Sequence, residues 1–224
     1  MKSRILKGLG RTFLPYIIPI VCYLAGSQLK LNGAAFAFIV LTLNYGGMSF
    51  GYSFGSKVMA AQSTTLPPEP EDPTDRLLRN VTTILLFGVL FFVAGLQCEP
   101  GARADKMAYI GILLYLLSMM IRCKSLRLVP YLDPMEPIDI NRIAPMKAYG
   151  VYERIRHPAQ AAMILYAIAA MSVFANVPCI IVCAAVIVLT FIRTVREDRY
   201  LTERLAGYDE YKAQVTKRLL PHIW

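Results

Sequence analysis

The chain has 224 residues, 56% of them hydrophobic, with a mean hydropathy of +0.46 and a net charge of +9. It is more apolar than an ordinary soluble domain, and none of its polar stretches is long enough to form a separate soluble domain. The positive charge reads as the cytoplasmic excess of Lys and Arg in membrane proteins. It does not read as a nucleic-acid surface, because interleaved basic and aromatic residues are missing.

Six apolar segments follow one another: Phe13–Leu29, Leu31–Phe54, Val81–Gln97, Met107–Ile121, Ala159–Ala175 and Val177–Ile192. Backbone polar groups must be satisfied internally in lipid, so these are expected to be helices. The predicted fold class is all-α, a polytopic membrane bundle of about six transmembrane helices. Several segments fall short of the roughly 20 residues that cross a bilayer core, so their ends borrow flanking residues or the bilayer thins. The basic N-terminus followed by an apolar run has the outline of a signal peptide. No small-residue cleavage site with a soluble domain follows, so the first segment reads as a retained span.

Lys and Arg set the orientation. With the N-terminus inside, only Lys30, Arg103 and Lys106 of the 24 basic residues fall on the outer side. The positive-inside effect then puts both termini, the loop 122–158 and the tail 193–224 in the cytoplasm of a multi-pass integral membrane protein. Gly47, Gly51 and Gly55 form a small-residue ridge that lets helices approach closely, within the chain or in a homodimer. The segment Thr65–Asp75, rich in Pro and acid, reads as an extended or mobile loop.

The five cysteines, Cys22, Cys98, Cys123, Cys179 and Cys183, contain no CxxC pair. They read as packing residues rather than as disulfides or a metal site. Asn176-Val177-Pro178 is an uncharged turn between two short apolar segments. It predicts a tight helical hairpin that returns the chain to the side it entered. Arg156-His157-Pro158 and Arg196-Glu197-Asp198 are thereby predicted to be neighbours at its two feet. Arg193 and Glu197 are four apart and share a helix face. Beyond Ile192, Leu201, Leu205, Tyr208, Tyr211 and Val215 recur at helical spacing, which predicts an amphipathic tail helix interrupted at Gly207.

Each of these residues has a bland reading. Arginines near a span end snorkel, and an acid pair at a helix end caps it. Their combination at membrane depth points instead to a functional site, because ionisable groups are costly there. No GxSxG, HExxH or P-loop supports nucleophilic, zinc-peptidase or nucleotide chemistry.

Gly150-Val151-Tyr152-Glu153-Arg154-Ile155-Arg156-His157-Pro158 resembles the G-x-Y-x-x-x-R-H-P signature of integral-membrane methyltransferases. These are the isoprenylcysteine carboxyl methyltransferases and related phospholipid methyltransferases. Glu197-Asp198-x-x-Leu201 is similar to their E-E-x-x-L. Gly207-Tyr208, Tyr211, Val215, Arg218 and Pro221 resemble the closing pattern. The resemblance covers residues 105–224, which it makes the methyltransferase core: a cofactor-binding loop, the helical hairpin and a C-terminal cytoplasmic helix. Residues 1–104 are left as N-terminal membrane helices without an assigned role.

The resemblance implies S-adenosylmethionine as methyl donor and a lipophilic or lipid-modified acceptor reached from the membrane lipids. It implies that Met146, Lys147, Tyr152, His157, Pro158, Gln160 and Glu197 contact the cofactor, with Arg193 and Glu197 as the catalytic pair and Arg193 turned toward the acceptor. The chain departs from the pattern at Gln160, where the family has Tyr, at Ala162, where it often has Gly, and at Asp198, where it has Glu. Two other readings stay open. One is a sterol-type membrane reductase using NADPH, although Ala159-Gln160-Ala161-Ala162 lacks its Asn-Tyr and acid. The other is a non-catalytic membrane scaffold or lipid binder.

Overall fold

The computed structural model describes residues 17–28, 33, 35–43, 70–97 and 106–219. Among these residues the regular structure is entirely helical. Helix α1 spans Ile17–Ser27 and α2 residues 35–43, and α3 spans Pro73–Leu96 with a π-helical turn at Leu85–Val89. Then come α4 at Lys106–Leu128, α5 at Pro158–Phe174, α6 at Val177–Arg204 and α7 at Tyr208–Gln214. Three of them (α3, α4 and α6) are long and apolar enough to cross a membrane, and α1 and α5 are shorter apolar helices. Met107, Ile110, Leu113, Leu117 and Met120 of α4 all point outward. A continuous apolar face of this kind marks contact with lipid or a partner. The chain is a helical membrane protein.

The helix ends differ from the hydropathy boundaries. The segment expected to stop at Ile121 runs on to Leu128, and the one expected to stop at Ile192 continues unbroken to Arg204. Hydropathy follows side chains, whereas a helix continues while its backbone bonds continue. The buried polar residues past the first boundary have protein partners, Arg122 in Asp133 at 2.6 Å and Ser125 in Tyr152 at 2.8 Å. The expected loop Thr65–Asp75 is also corrected at its end, since α3 already begins at Pro73 with Asp75 in its first turn. Proline suits a first helical position, where its missing N–H is no loss. Residues 65–69, the ridge Gly47, Gly51 and Gly55, and much of the expected spans Phe13–Leu29 and Leu31–Phe54 lie outside the described residues.

One apolar core draws on both sides of the 104/105 boundary. Phe38 of α2 is fully buried, with ring centroids 5.3 Å from Tyr115, 5.5 Å from Tyr166 and 5.4 Å from Phe174. Such edge and tilted pairs add to the effect of area burial. Helices α1 and α3 cross at backbone distance. A Cβ on Gly26 would collide with the Phe92 carbonyl oxygen, and one on Gly95 with that of Tyr23. Small residues also join α4 to α5. Gly111 abuts the Ala169 carbonyl, and Ser118 donates to the Ala162 carbonyl at 2.6 Å.

The hairpin that positions the site has an identifiable chemistry. Ala175 closes α5 in the left-handed region at φ 44°, Asn176 accepts from the Cys179 amide at 2.9 Å, and Pro178 sits in the first turn of α6. Asn176→Ala removes this cap. It is expected to lower stability by about 1 kcal/mol, read from the denaturation midpoint of the purified protein in detergent.

Candidate functional site

The loop 129–157 is tied down before it reaches the site. Asp133 takes Arg122 of α4 at 2.6 Å and the Met135 amide at 3.0 Å through one oxygen. The Tyr152 hydroxyl meets Ser125 of α4 at 2.8 Å, and the Tyr152 carbonyl accepts from the Tyr211 hydroxyl at 2.8 Å. A second apolar cluster, including Tyr131, Met146, Tyr152, Leu201, Tyr208 and Tyr211, packs loop, α6 and tail together. Gly207, at φ 77°, makes the turn that lays α7 against this cluster. The helix breaks at the glycine where the sequence predicts an interruption.

The loop end and the tail then run side by side. The Arg156 amide donates to the Lys217 carbonyl and the His157 amide to the Arg218 carbonyl, each at 2.9 Å. Pro158 starts α5 directly afterwards, and His157 and Gln160 point at α6. His157 Nδ1 lies 3.1 Å from Glu197 Oε1 and its Nε2 3.1 Å from Asp198 Oδ1. Gln160 Nε2 donates to Glu197 Oε2 at 2.7 Å. The hairpin therefore brings its two feet into direct contact.

The two carboxylates are used differently. Asp198 Oδ1 accepts from Arg156 Nε and the Tyr208 hydroxyl, both at 2.9 Å, and faces His157. Its Oδ2 accepts from Arg156 Nη2 at 2.9 Å and Arg218 Nε at 3.0 Å. That fills the capacity of a carboxylate, so Asp198 is the structural hub. Glu197 has His157 and Gln160 as its hydrogen-bond partners and lines a cavity. Its neighbour in that cavity is Arg193, only 4% exposed, whose guanidinium donates to the Glu136 carbonyl at 3.2 Å. The guanidinium keeps donors beyond this bond, beside a cavity of about 20 Å³ that has room for about one water. Arg196, grouped with these two by sequence, does not line the cavity itself but holds two acids that do, Asp72 and Asp75. It is 40% exposed and binds Asp72 at 2.6 Å and Asp75 at 2.7 Å. At about 100° per residue Arg196 lies roughly 60° from Arg193 and roughly 100° from Glu197, at the edge of their face and next to the start of α3.

Burial alone would lower the His157 pKa. Hydrogen bonds to Asp198 and Glu197 outweigh it, and the net shift is upward. A neutral ring would aim a lone pair at one of the two carboxylates, so the imidazolium is the form that fits. A raised pKa stabilises the fold fully below the ordinary value of 6.5, and that contribution is lost as pH rises through the folded value. The denaturation midpoint is therefore expected to fall as pH goes from 6.5 into the alkaline range, and His157→Gln should flatten the slope. Burial, followed by the Asp198 charge, pushes the Tyr208 phenol up, so it remains a donor to Asp198.

The expected cofactor residues divide into two groups. Met146, Lys147 and Tyr152 line a cavity of about 640 Å³ with Arg127, Tyr131, Arg142 and Tyr149. That volume is in the range of cofactor sites. His157, Pro158 and Gln160 are buried in the polar junction, and Arg193 and Glu197 line the smaller cavity with Pro70, Glu71, Asp72, Asp75, Ile138 and Tyr200. Tyr152 lines the larger cavity and through its carbonyl holds Tyr211 of the tail. The N-terminal wall of the smaller cavity is not legible from the sequence as part of a site. Its one signal is the density of acids before Asp75. Among the described residues, no group of three or more His, Cys, Asp or Glu is arranged to hold a metal. No family model and no curated protein matches this chain.

Proposed function

We propose that this chain is an integral-membrane methyltransferase that uses S-adenosylmethionine and acts on a lipophilic acceptor, a carboxylate such as a prenylcysteine-like group. The observation that carries the proposal is Arg193: a buried arginine beside Glu197 and a small cavity of about 20 Å³ at the end of an apolar helix, with donors left over. Paired N–H groups bind carboxylates bidentately, and the helix above supplies the apolar surface that a lipid tail needs.

The cofactor fits the residues present. The larger cavity has the volume and the tyrosines for a nucleoside. Gln160, 1% exposed, keeps its Oε1 without a hydrogen-bond partner, and a buried acceptor of this kind calls for a ligand donor. When bound, S-adenosylmethionine would supply an activated methyl group, which passes to an acceptor lone pair as the carbon–sulfur bond breaks toward sulfur. Arg193 aligns the acceptor, and alignment can supply up to roughly 7–11 kcal/mol of the barrier. Glu197 holds a polar part of the donor. His157, set between two carboxylates, keeps Glu197 in place. No proton needs to leave a carboxylate acceptor, so this chemistry asks for no general base.

In this reading the chain crosses the bilayer six times with both termini in the cytoplasm. The stretch 205–219 packs against the polar junction from the cytoplasmic side. A second reading, a non-catalytic scaffold, draws on the saturation of Asp198 by the protein itself. Binding of labelled S-adenosylmethionine to the purified protein decides between them. The methyltransferase is expected to bind it in the micromolar range or tighter. A sterol-type reductase would bind NADPH instead, and a scaffold neither.

A further inference from the structure

The larger cavity has a floor and a rim of different chemistry. Its floor includes Tyr131, Met146 and Tyr152, which are buried and uncharged, whereas Arg127, Lys147 and Tyr149 at the rim are exposed. The lining contains three cations, Arg127, Arg142 and Lys147, and no carboxylate. Arg142 is already engaged, 3.0 Å from Asp139. Arg127 and Lys147 make no hydrogen bond or ion pair among the described residues. A net-cationic methyl donor is repelled by such a rim, so the methyl-donor reading does not account for it.

The surface of α4 leads to the same place. Its outward-facing Ile110, Leu113, Leu117 and Met120 are followed at helical spacing by exposed Lys124 and Arg127. At about 100° per residue, all of them lie within about 60° of Leu113 on the helix surface. From Ile110 to Met120 the apolar part of this stripe rises about 15 Å, half of a hydrocarbon core of about 30 Å. The stripe turns from apolar to cationic where the cavity opens. A phospholipid lying along it sets its phosphate at the level of Lys124 and Arg127. Tyr149, 68% exposed, is of the residue type enriched at headgroup level.

We propose that Arg127 and Lys147 at the rim bind the phosphate of an anionic phospholipid whose acyl chains lie on the outward face of α4. Basic pockets beside membrane helices recognise anionic headgroups in this way. The occupant is a lipid and not a soluble anion, because the cationic rim is continuous with the apolar stripe. Anionic headgroups are selected over zwitterionic ones, since the lining offers a quaternary or primary ammonium no carboxylate. The bound lipid is not the methyl acceptor: Arg193 and Glu197 line the other cavity. The site stands on the charge of the rim and the stripe of α4, independently of the methyl-donor reading.

The test is native mass spectrometry of the full-length protein in non-ionic detergent, with equal amounts of a phosphatidylglycerol and a phosphatidylcholine of the same acyl chains. The protein is expected to retain the phosphatidylglycerol roughly tenfold or more over the phosphatidylcholine. Arg127→Gln and Lys147→Gln should each weaken that retention by about fivefold, and the two together by about twentyfold. Arg127→Lys should keep most of it. Arg154→Gln removes an exposed cation outside the lining and should change it by less than about twofold. Circular dichroism checks that the variants fold, as expected for exposed side chains. No preference between the two lipids, unchanged retention in the double variant, or an equal loss in Arg154→Gln would each overturn the site. Displacement of the lipid by inorganic phosphate at equal affinity would assign the rim to a soluble anion and overturn the lipid.

Discussion

Asp198→Ala is expected to lower stability by about 3–5 kcal/mol, the largest loss of any single substitution at the polar junction. The reason is what the change leaves behind. Arg156 is 4% exposed and would keep a buried guanidinium with only the Val215 and Thr216 carbonyls as acceptors, at 2.8 and 2.9 Å. The Tyr208 hydroxyl and one ring nitrogen of His157 would lose their acceptor as well. Breaking one side of a buried ion pair costs more than the pair contributed, because the remaining charge is uncompensated. Asp198→Asn keeps an acceptor of the same shape and should lose less. Chemical denaturation monitored by circular dichroism measures both. An Asp198→Ala protein as stable as the parent would show that the junction does not hold loop, α6 and tail together.

Glu197→Gln is expected to separate binding from folding. Its carboxylate serves His157 and Gln160, and a glutamine can still accept from one of them. The stability loss should therefore be about 1–2 kcal/mol, well below that of Asp198→Ala. Affinity for S-adenosylmethionine should fall by at least roughly tenfold, since a charge facing the cavity is removed. Isothermal titration with a parallel thermal melt reads both quantities. Equal affinity in Glu197→Gln and the parent would remove Glu197 from the donor site. A stability loss as large as that of Asp198→Ala would make the two carboxylates equivalent, against the division of roles drawn from their partners.

The hairpin and the residues it joins are legible in the sequence. A charge-free Asn176-Val177-Pro178 between two apolar runs leaves the backbone little choice but to reverse, and Asn176 caps the second helix as its residue type predicts. The contact of His157 with Glu197 follows from that reversal. The interruption at Gly207 is legible for a similar reason, because a left-handed residue is local chemistry.

The chain by itself determined a helical, membrane-embedded protein, its tight hairpin and the neighbourhood of Arg156-His157 with Glu197-Asp198. These depend on hydropathy, periodicity and turn chemistry, which act over a few residues. Tertiary structure alone decided which of two adjacent acids is saturated and which faces a cavity, because packing against α5 and the tail sets the rotation of α6. It also decided that Arg196 binds Asp75, 121 positions away, and that the end of the stretch expected to be a loose acidic loop walls the cavity of Arg193. No local rule relates residues so far apart; they meet because helices from both halves of the chain bury one common core.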